Sequence, residues 1–183
     1  MKSLKGHLLL ASMNLQDPNF RRSILLIVQH DENGAMGLIL NRPTRMTIAQ
    51  AWSQISEDPC LIEAPLYQGG PCEGPLIVLH SRESMSQIPV MDGVYCSTDA
   101  QNVSWLVENS IDPVKFFVGY AGWEAGQLEV ELGESAWLIA PASSDAIFET
   151  RPDAWSILMK RLTTTLRFPN INPKLIPPDP SVN

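Results

Sequence analysis

The chain has 183 residues, a length typical of one domain, and 44% of them are hydrophobic, an ordinary fraction for a globular protein. Its 13 basic and 20 acidic side chains give a net charge of −7, which repels phosphate backbones at long range and makes direct nucleic-acid binding unfavourable. Four arginines, Arg21, Arg22, Arg42 and Arg45, could form a local basic patch, and a solvated surface is the favoured interpretation.

The cellular compartment of the protein is indicated by its cysteines and by the lack of long apolar segments. Cys60, Cys72 and Cys96 form no CxxC pair, which is typical of free thiols under reducing conditions. The N-terminal apolar run is too short for a signal peptide, and no apolar stretch approaches the roughly 20 residues that span a bilayer. We therefore expect a cytoplasmic protein that does not contact the membrane.

The N-terminal part of the chain predicts a β-hairpin preceded by a short strand. Residues 7–12 are apolar enough for a short buried strand. Residues 24–30 and 35–41 are continuous apolar runs, typical of central strands, and the turn-forming residues 31–34 separate them. The pattern predicts an antiparallel hairpin over residues 24–41.

The middle of the chain alternates between predicted helices, loops and strands. Thr47 is placed to cap a helix over about 47–56, and Thr98 is placed to cap another over about 99–109. Between these helices, residues 57–75 predict a loop. Three further apolar runs predict strands, over residues 76–80, 93–97 and 115–120.

The C-terminal part mixes helix and strand signals. Residues 126–132 alternate as a strand does, but Glu, Gln and Leu prefer helix, so a helix is predicted there. A strand over 136–141, a short turn or helix to Phe148 and a last helix starting near Pro152 follow. About seven strands and four helices with an early hairpin favour a mixed α+β sheet over a doubly wound parallel one.

We predict one domain over residues 1–166 and a Pro-rich tail over residues 167–183. The tail holds five of the fifteen prolines and shows no periodicity, so it is expected to be extended or mobile. Docking of the tail to an aromatic groove as a polyproline segment is the alternative.

Two of the three histidines follow apolar runs and precede polar residues. If their strands are neighbours, His30 and His80 emerge at one end of the sheet, where Asp31 or Glu83 could help them hold a metal or act as a base. Metal sites usually need three protein ligands, and no HxH or HxxxH spacing is present. A hydrogen-bonded structural histidine is favoured, and no metal or other cofactor is predicted.

Two glycine-rich stretches are candidates for ligand contact. Residues 68–71, with Tyr67 beside them, could turn backbone amides toward an anion or form an ordinary tight turn. Residues 119–126 follow a strand but lack GxGxxG spacing and carry Glu124, so dinucleotide binding is rejected. Close backbone packing around Trp123 is the favoured reason for these glycines.

The carboxylates Glu129 and Glu131 lie near Gln127. On a strand they would share one face and could do acid–base work, whereas on a helix they diverge by about 200°. A structural or surface role, including a pairing of Glu129 with Arg42, is favoured.

Nucleophilic catalysis has little support in the sequence. Cys72 and His80 could form a thiol–imidazole pair, but neither is flanked by a nucleophile signature. A GxSxG elbow for a serine hydrolase is also missing.

Taken in order, four separated blocks of the sequence resemble the YqgE/AlgH family over about residues 6–160. The blocks are residues 17–24 with His30, residues 34–43, residues 67–71, and residues 119–123 followed by 126–129 and Trp137. The resemblance implies an α+β fold in which a mixed, largely antiparallel, bifurcated sheet curls into a pseudo-barrel flanked by helices. It also implies the bacterial cytoplasm and a link to transcription control without a recognised DNA-binding motif. Cys72 stands where the family commonly has a small aliphatic residue, and the chain after about residue 163 lacks the usual ending.

Two functions of different classes remain open. The favoured one is a non-catalytic regulatory protein that binds an unknown protein or small-molecule ligand through residues 41–43, 67–71 and 119–127. The predicted binding residues are Asn41, Arg42, Tyr67, Gln68, Gly69, Gly70, Trp123, Gln127 and Glu129. The alternative is a hydrolase-like enzyme at the same surface, with His30 or His80 as base and Arg42 as anion clamp. Convergence of these side chains in a concave pocket would favour the enzyme, whereas scattered side chains with exposed Trp123 and Tyr67 would favour partner binding.

Overall fold

The described residues form eleven strands and five α-helices. The computed structural model describes residues 2–60, 62–109 and 111–167, and it describes side chains as far as Leu162. The strands are β1 (His7–Ala11), β2 (Ile24–Asp31), β3 (Gly34–Ile39), β4 (Pro43–Thr47), β5 (Pro65–Gln68), β6 (Ile77–His80), β7 (Ile88–Met91), β8 (Val94–Ser97), β9 (Val114–Val118), β10 (Ala121–Glu124) and β11 (Trp137–Pro141). The helices are α1 (Ile48–Trp52), α2 (Ala100–Glu108), α3 (Gln127–Gly133), α4 (Ser144–Phe148) and α5 (Ala154–Arg167).

The strands form two open sheets. Sheet 1 has the antiparallel order β10-β3-β2-β1-β11, and sheet 2 has the order β4-β5-β9-β6-β8-β7. In sheet 2, β5 and β9 run parallel, while the other paired strands run antiparallel. The predicted α+β class with largely antiparallel strands is therefore confirmed, and the strands form two sheets that do not close into a barrel.

Two segments of the chain belong to both sheets. The segment from β3 to β4 leaves sheet 1 and enters sheet 2 through residues 40–42. The segment from β9 to β10 makes the reverse passage through Gly119 and Tyr120. The two sheets consequently diverge from a common region, which positions the candidate site.

Three buried clusters hold the layers together. Side chains of β1 alternate between two of them, with Leu8 and Leu10 in the cluster between the sheets and Leu9 in the cluster on the outer face of sheet 1. Because both faces are buried, β1 is apolar at every position from Leu8 to Ala11. The outer face of sheet 1 lies beneath α3, and the third cluster packs α1 and α2 on sheet 2.

Local signals predicted the hairpin and the helices well. The hairpin of β2 and β3, the helix at residues 126–132 and the Thr47 cap are confirmed, and Thr47 Oγ1 accepts the Gln50 amide. The predicted Thr98 cap of α2 is wrong, because Asp99 accepts the Gln101 and Asn102 amides there. Thr98 instead donates its backbone amide and hydroxyl to the side-chain oxygen of Gln87.

The count of seven strands is too low. Strands β4, β5, β7 and β10 were not predicted, and β5 lies within the predicted loop over residues 57–75. These strands have four or five residues and contain Pro or Gly, which weakens a strand signal.

None of the helices in the described part of the chain is long and apolar enough to cross a bilayer. Residues 168–183, almost the whole predicted tail, lie outside the described residues, so its extended or mobile character stays a prediction.

Candidate functional site

Residues 41–43 and 67–71 meet the start of the predicted stretch 119–127 where the two sheets diverge. The rest of that stretch, with Trp123 and Gln127, lies on β10 and α3 instead. We refer to residues 39–43, 68–72 and 118–120 together as the strand crossing. The backbone hydrogen bonds that join them are Ile39 N to Gly69 O (2.8 Å), Gln68 N to Arg42 O (2.9 Å), Gly69 N to Val118 O (2.8 Å), Cys72 N to Tyr120 O (2.9 Å) and Tyr120 N to Cys72 O (3.1 Å). Asn41, Arg42, Tyr67 and residues 68–70 are therefore neighbours, as the binding hypothesis requires.

Glycines at the crossing are required by the close approach of the backbones. A Cβ atom at Gly69 would lie 2.2 Å from the carbonyl oxygen of Gly119, and one at Gly70 would lie 2.1 Å from the carbonyl carbon of Tyr120. Gly119 also has a φ of +69°, which disfavours any side chain. The Gly69 amide donates to Val118, so it is not free to bind an anion as in a backbone nest.

A cleft of about 380 Å³ lies beside the crossing. We name it the crossing cleft, and its lining residues are Gln68, Gly70, Pro71, Cys72, Glu73, Gly74, Val118 and Gly119. Gln68 Nε2 donates to the Gly70 carbonyl at 2.6 Å, which fixes the turn that forms one wall. The half-buried Cys72 carries a free thiol. This volume is at the lower end of the range of ligand pockets.

The side chains of Asn41 and Arg42 do not line the crossing cleft, and they hold the loop between β1 and β2. Buried Asn41 accepts the Ile24 amide and donates to the Arg22 carbonyl, both at 2.9 Å. The Arg42 guanidinium donates to three backbone carbonyls of that loop, those of Pro18 (3.3 Å), Asn19 and Arg21 (3.1 Å). The donors predicted to clamp an anion therefore anchor residues 12–23, which we name the β1–β2 loop.

Trp123 and Gln127 belong to a hydrogen-bonded cluster on the outer face of sheet 1. We name it the Glu131 cluster, and Trp137 is its fourth member. The indole nitrogens of Trp123 and Trp137 donate to Glu131 Oε2 at 2.9 and 2.7 Å, and Gln127 Nε2 donates to Glu131 Oε1 at 2.9 Å. Phe20 from the β1–β2 loop stacks on Trp123 and meets Trp137 edge-on. Helix α3 and the loop are thereby fixed to the sheet.

The predicted aromatic pair does not form an exposed patch. Trp123 is only 7% exposed, in the cluster beneath α3. Tyr67 is half-buried and packs between Phe117 and Lys115, on the inner side of sheet 2. The two rings belong to different clusters, so together they offer no flat apolar surface.

His30 joins the N-terminal segment to α3. Its Nδ1 accepts the Leu4 amide at 2.9 Å, so the ring proton lies on Nε2, which donates to Glu129 Oε1 at 3.0 Å. Glu129 thus pairs with His30, and the suggested pairing with Arg42 is wrong, because α3 places Glu129 over the far end of β2. Ile24 lies near Arg42, and His30 follows six positions later on the same strand. The two ends are therefore about 20 Å apart along the strand.

His80 is fully buried, and both of its ring nitrogens are occupied. Nδ1 accepts the Arg82 amide at 3.2 Å, and Nε2 lies 3.0 Å from the Ser97 hydroxyl, which itself donates to the Met85 carbonyl. Burial lowers the pKa of His80, which favours this neutral, structural form.

The predicted catalytic side chains are scattered. His30 ends β2 in sheet 1 and His80 ends β6 in sheet 2, so their strands are not neighbours and the proposed meeting of the two rings is wrong. His80 pairs with Val114 at the start of β9, whereas the crossing lies at the other end of that strand. Within the described residues no three His, Cys, Asp or Glu side chains cluster as metal ligands would. The geometry therefore argues against His30 or His80 as a base that works with Arg42.

Sequence reasoning gave Glu131 no specific role and did not single out Lys115. Glu131 lies four residues after Gln127 on one helix, a spacing that places the two side chains on one face and could have indicated their bond. Lys115 lies inside an apolar strand run, where a lone cation signals burial with a partner.

Comparisons with known proteins agree with this fold. The model of a family described as AlgH-like matches residues 8–167. A UPF0301 protein from Chlorobaculum tepidum is 42% identical over 149 residues, which cover 78% of each chain. A UPF0301 protein from Pseudomonas putida is 42% identical over 153 residues, which cover 79% of this chain and 80% of that one.

Two solved structures share the architecture. The solution structure of the AlgH protein from Pseudomonas aeruginosa has a TM-score of 0.72 at 32% identity and covers 96% of both chains. The crystal structure of a protein from Corynebacterium diphtheriae has a TM-score of 0.69 and covers 88% of both chains. At 22% identity, this second likeness concerns the fold alone.

Proposed function

The chain belongs to the AlgH-like family, and on that premise we propose that it is a non-catalytic regulatory protein that binds a ligand in the crossing cleft. The ligand is a small polar molecule or a short segment of a partner protein that fits a volume of about 380 Å³.

The meeting of residues 68–74 with residues 118 and 119 beside the strand crossing supports this proposal most directly. Two distant parts of the chain supply the walls, and backbone hydrogen bonds with close glycine contacts fix them. A preformed cleft binds with little loss of conformational entropy, which is favourable for recognition.

The chemistry of the lining supports binding rather than turnover. Cys72 and Glu73 are the ionisable side chains among the eight lining residues. Neither forms an ion pair within the described part of the chain, and the two candidate histidines are held elsewhere by structural hydrogen bonds. A cleft without a nucleophile–base pair fits recognition better than hydrolysis.

A regulatory role would be indirect and cytoplasmic. The net charge of −7 disfavours direct contact with nucleic acid, so an effect on transcription would pass through the bound ligand or partner. Ligand binding beside the junction of the two sheets is a suitable signal, because the cleft includes Gly119, where the chain passes from one sheet to the other.

Selective alkylation of Cys72 tests the proposal. Burial raises the pKa of the Cys96 thiol to about 12, so Cys96 does not react. In the Cys60→Ser protein, N-ethylmaleimide therefore blocks the crossing cleft at Cys72, and in the matched Cys72→Ser protein it modifies Cys60 instead.

The unmodified protein is screened by thermal shift against metabolites, nucleotides and short peptides. We expect at least one compound to raise the Tm by about 2 °C or more at saturation. This stabilisation should be lost when Cys72 is alkylated and kept when Cys60 is alkylated. A screen without any compound whose stabilisation depends on unmodified Cys72, or turnover of ester or phosphoester substrates, would contradict the proposal.

A further inference from the structure

The β1–β2 loop is anchored by side chains from several parts of the fold. Asn41 and Arg42 hold its backbone, while its Phe20 packs against the indole rings of Trp123 and Trp137. Loops of this length are ordinarily among the more mobile parts of a domain. Such anchoring gives the side chains that the loop displays a fixed arrangement.

Arg22 is the most constrained residue of this loop. Its φ of +58° lies in the left-handed region, which is unfavourable for a residue with a Cβ atom by roughly 1 kcal/mol or more. Asn41 stabilises this conformation by bonding to the Arg22 carbonyl and to the Ile24 amide two residues on. The Arg22 guanidinium is thereby placed 5.8 Å from the ring centre of Trp155.

A second cleft, of about 370 Å³, opens beside this guanidinium. We name it the arginine cleft, and its lining residues are Ser12, Met13, Gln16, Arg21, Arg22 and Trp155. It shares no lining residue with the crossing cleft. Trp155 is held in its wall by an indole bond of 2.8 Å to the Ala11 carbonyl.

The two arginines of this cleft carry uncompensated charge. The ion pairs found among the described residues join His30 to Glu129 and Arg151 to Asp153, so no described carboxylate lies within 4 Å of Arg21 or Arg22. Both arginines are exposed in a chain whose net charge is −7. Two exposed guanidiniums that line one cleft, neither of them in an ion pair with a described residue, favour an anionic ligand.

The wall of the cleft also offers a hydroxyl and an apolar surface. Ser12 Oγ is buried without a hydrogen-bond partner among the described residues, so it can bond a polar group of a ligand or a water molecule that reaches it. Met13 is 70% exposed at the rim, where it can cover an apolar group.

We propose that the arginine cleft binds a small phosphate monoester. Arg21 and Arg22 donate to the phosphate oxygens, the Ser12 hydroxyl turns toward the ligand to add a further bond, and the organic group lies against Met13 and Trp155. Two guanidiniums match the charge of nearly −2 that a monoester carries at neutral pH. A nucleic-acid strand, in contrast, would bring many more phosphates toward an acidic surface.

Phenyl phosphate is the probe, because it combines a phosphate with a compact apolar group. Titrations of the full chain at pH 7.5 and low salt are followed by ¹H–¹⁵N NMR and by tryptophan fluorescence. We expect saturable shifts of the Ser12, Arg22 and Ser23 amides and of the Trp155 indole. We also expect phenyl phosphate to bind at least about tenfold more tightly than benzoate, since arginine pairs favour phosphate geometry.

Three variants test the assignment of the residues. Arg22→Gly removes the guanidinium but suits the left-handed backbone, so the fold should persist while the affinity for phenyl phosphate falls about tenfold or more. Arg21→Gln should weaken binding several-fold. Arg45→Gln removes the same charge from exposed strand β4, outside the cleft, and should leave the affinity within about twofold.

Three results would overturn the proposal. One is the lack of saturable binding up to about 20 mM phenyl phosphate, which exceeds the dissociation constant of even a weak site. Another is equal weakening by Arg45→Gln and Arg21→Gln. The last is tighter, Arg22-dependent binding of a single-stranded oligonucleotide, which would assign the cleft to nucleic acid. Cys72 alkylation leaves this cleft open, so failure here and failure of the proposed function are distinguishable.

Discussion

At the residue scale, Lys115 is the most unusual ionisable group. It is only 3% exposed, its Nζ donates to the Ile147 carbonyl at 3.1 Å, and it lies 4.3 Å from the centre of the Tyr67 ring. The carbonyl belongs to the last turn of α4, where a cation is favourable for the helix dipole. These contacts offset part of the cost of removing an ammonium group from water.

The pKa of Lys115 predicts a pH dependence of stability. Burial lowers this pKa to about 8 from the ordinary value of 10.5, so between these values the folded state has lost a proton that the unfolded state retains. The free energy of unfolding should therefore increase with pH, by up to about 1.4 kcal/mol per pH unit. The cost of burying the charge is fully present below pH 8 and is relieved as the pH rises toward 10.5.

Lys115→Met isolates this effect. The variant keeps the side-chain volume, and the Thr150 hydroxyl, which donates to the Ala146 carbonyl, also lies 3.1 Å from the Ile147 carbonyl. Urea denaturation of both proteins at pH 7, 8, 9 and 10 should show that wild type gains roughly 1–3 kcal/mol relative to the variant across this range. Parallel stability curves for the two proteins would show that Lys115 keeps its proton in the folded state.

At the element scale, the β1–β2 loop explains why several of the singled-out residues are present. Two of them, Asn41 and Arg42, bond to the backbone of this loop, and Trp123 stacks on its Phe20 ring. The loop in turn covers the outer face of sheet 1 with Leu15 and Phe20. Residues that looked like ligand contacts therefore act first on the position of a loop.

Removal of the Arg42 guanidinium should release this loop. Arg42→Ala deletes the donors to three carbonyls, and we expect a loss of roughly 1–3 kcal/mol in the free energy of unfolding. Hydrogen exchange should accelerate about tenfold or more at the Phe20, Arg21 and Ser23 amides, whose bonds lie within the loop. Arg45→Ala on β4 is the control and should leave these exchange rates unchanged. Equal protection in Arg42→Ala and wild type would mean that the loop is held without Arg42.

At the scale of the whole molecule, the divergence of the two sheets depends on a direct contact between backbones, with no side chain between them. Gly69, Gly70 and Gly119 let the backbone of residues 69–72 approach that of residues 119–121 to direct van der Waals contact. Both sheets and the crossing cleft are built on this contact, so its disruption should affect the entire fold.

A pair of glycine substitutions tests this dependence. Gly70→Ala would place a Cβ atom 2.1 Å from the backbone of Tyr120, and we expect a loss of more than about 3 kcal/mol or a failure to fold. Gly133→Ala, at the end of α3, meets no atom within 4 Å and should be neutral or stabilising by up to about 1 kcal/mol. Thermal and urea denaturation compare the two, and similar stabilities would mean that the crossing tolerates a wider spacing.

The sequence by itself determined the elements whose signals are local. The hairpin of β2 and β3 follows from two apolar runs and a turn, and the start of α1 follows from the Thr47 cap. The sequence also predicted that residues 41–43, 67–71 and 119–127 meet, which holds for Gly119 and Tyr120 and not for Trp123 or Gln127. These features could be predicted because neighbouring residues decide turn chemistry, capping and periodicity.

The tertiary structure alone decided which way the polar side chains face and which strands pair. Strands β5 and β10 are short and acquire their bonds from partners far away in the chain, so no local pattern marks them. Arg42 has the same chemistry whether it meets an anion or three carbonyls, and only the position of the β1–β2 loop selects the carbonyls. His30 and His80 likewise became structural because their partners, Leu4, Glu129 and Ser97, are brought to them by folding. The physical reason is that hydrogen bonds and packing depend on distances in space, which a linear pattern of residue types does not contain.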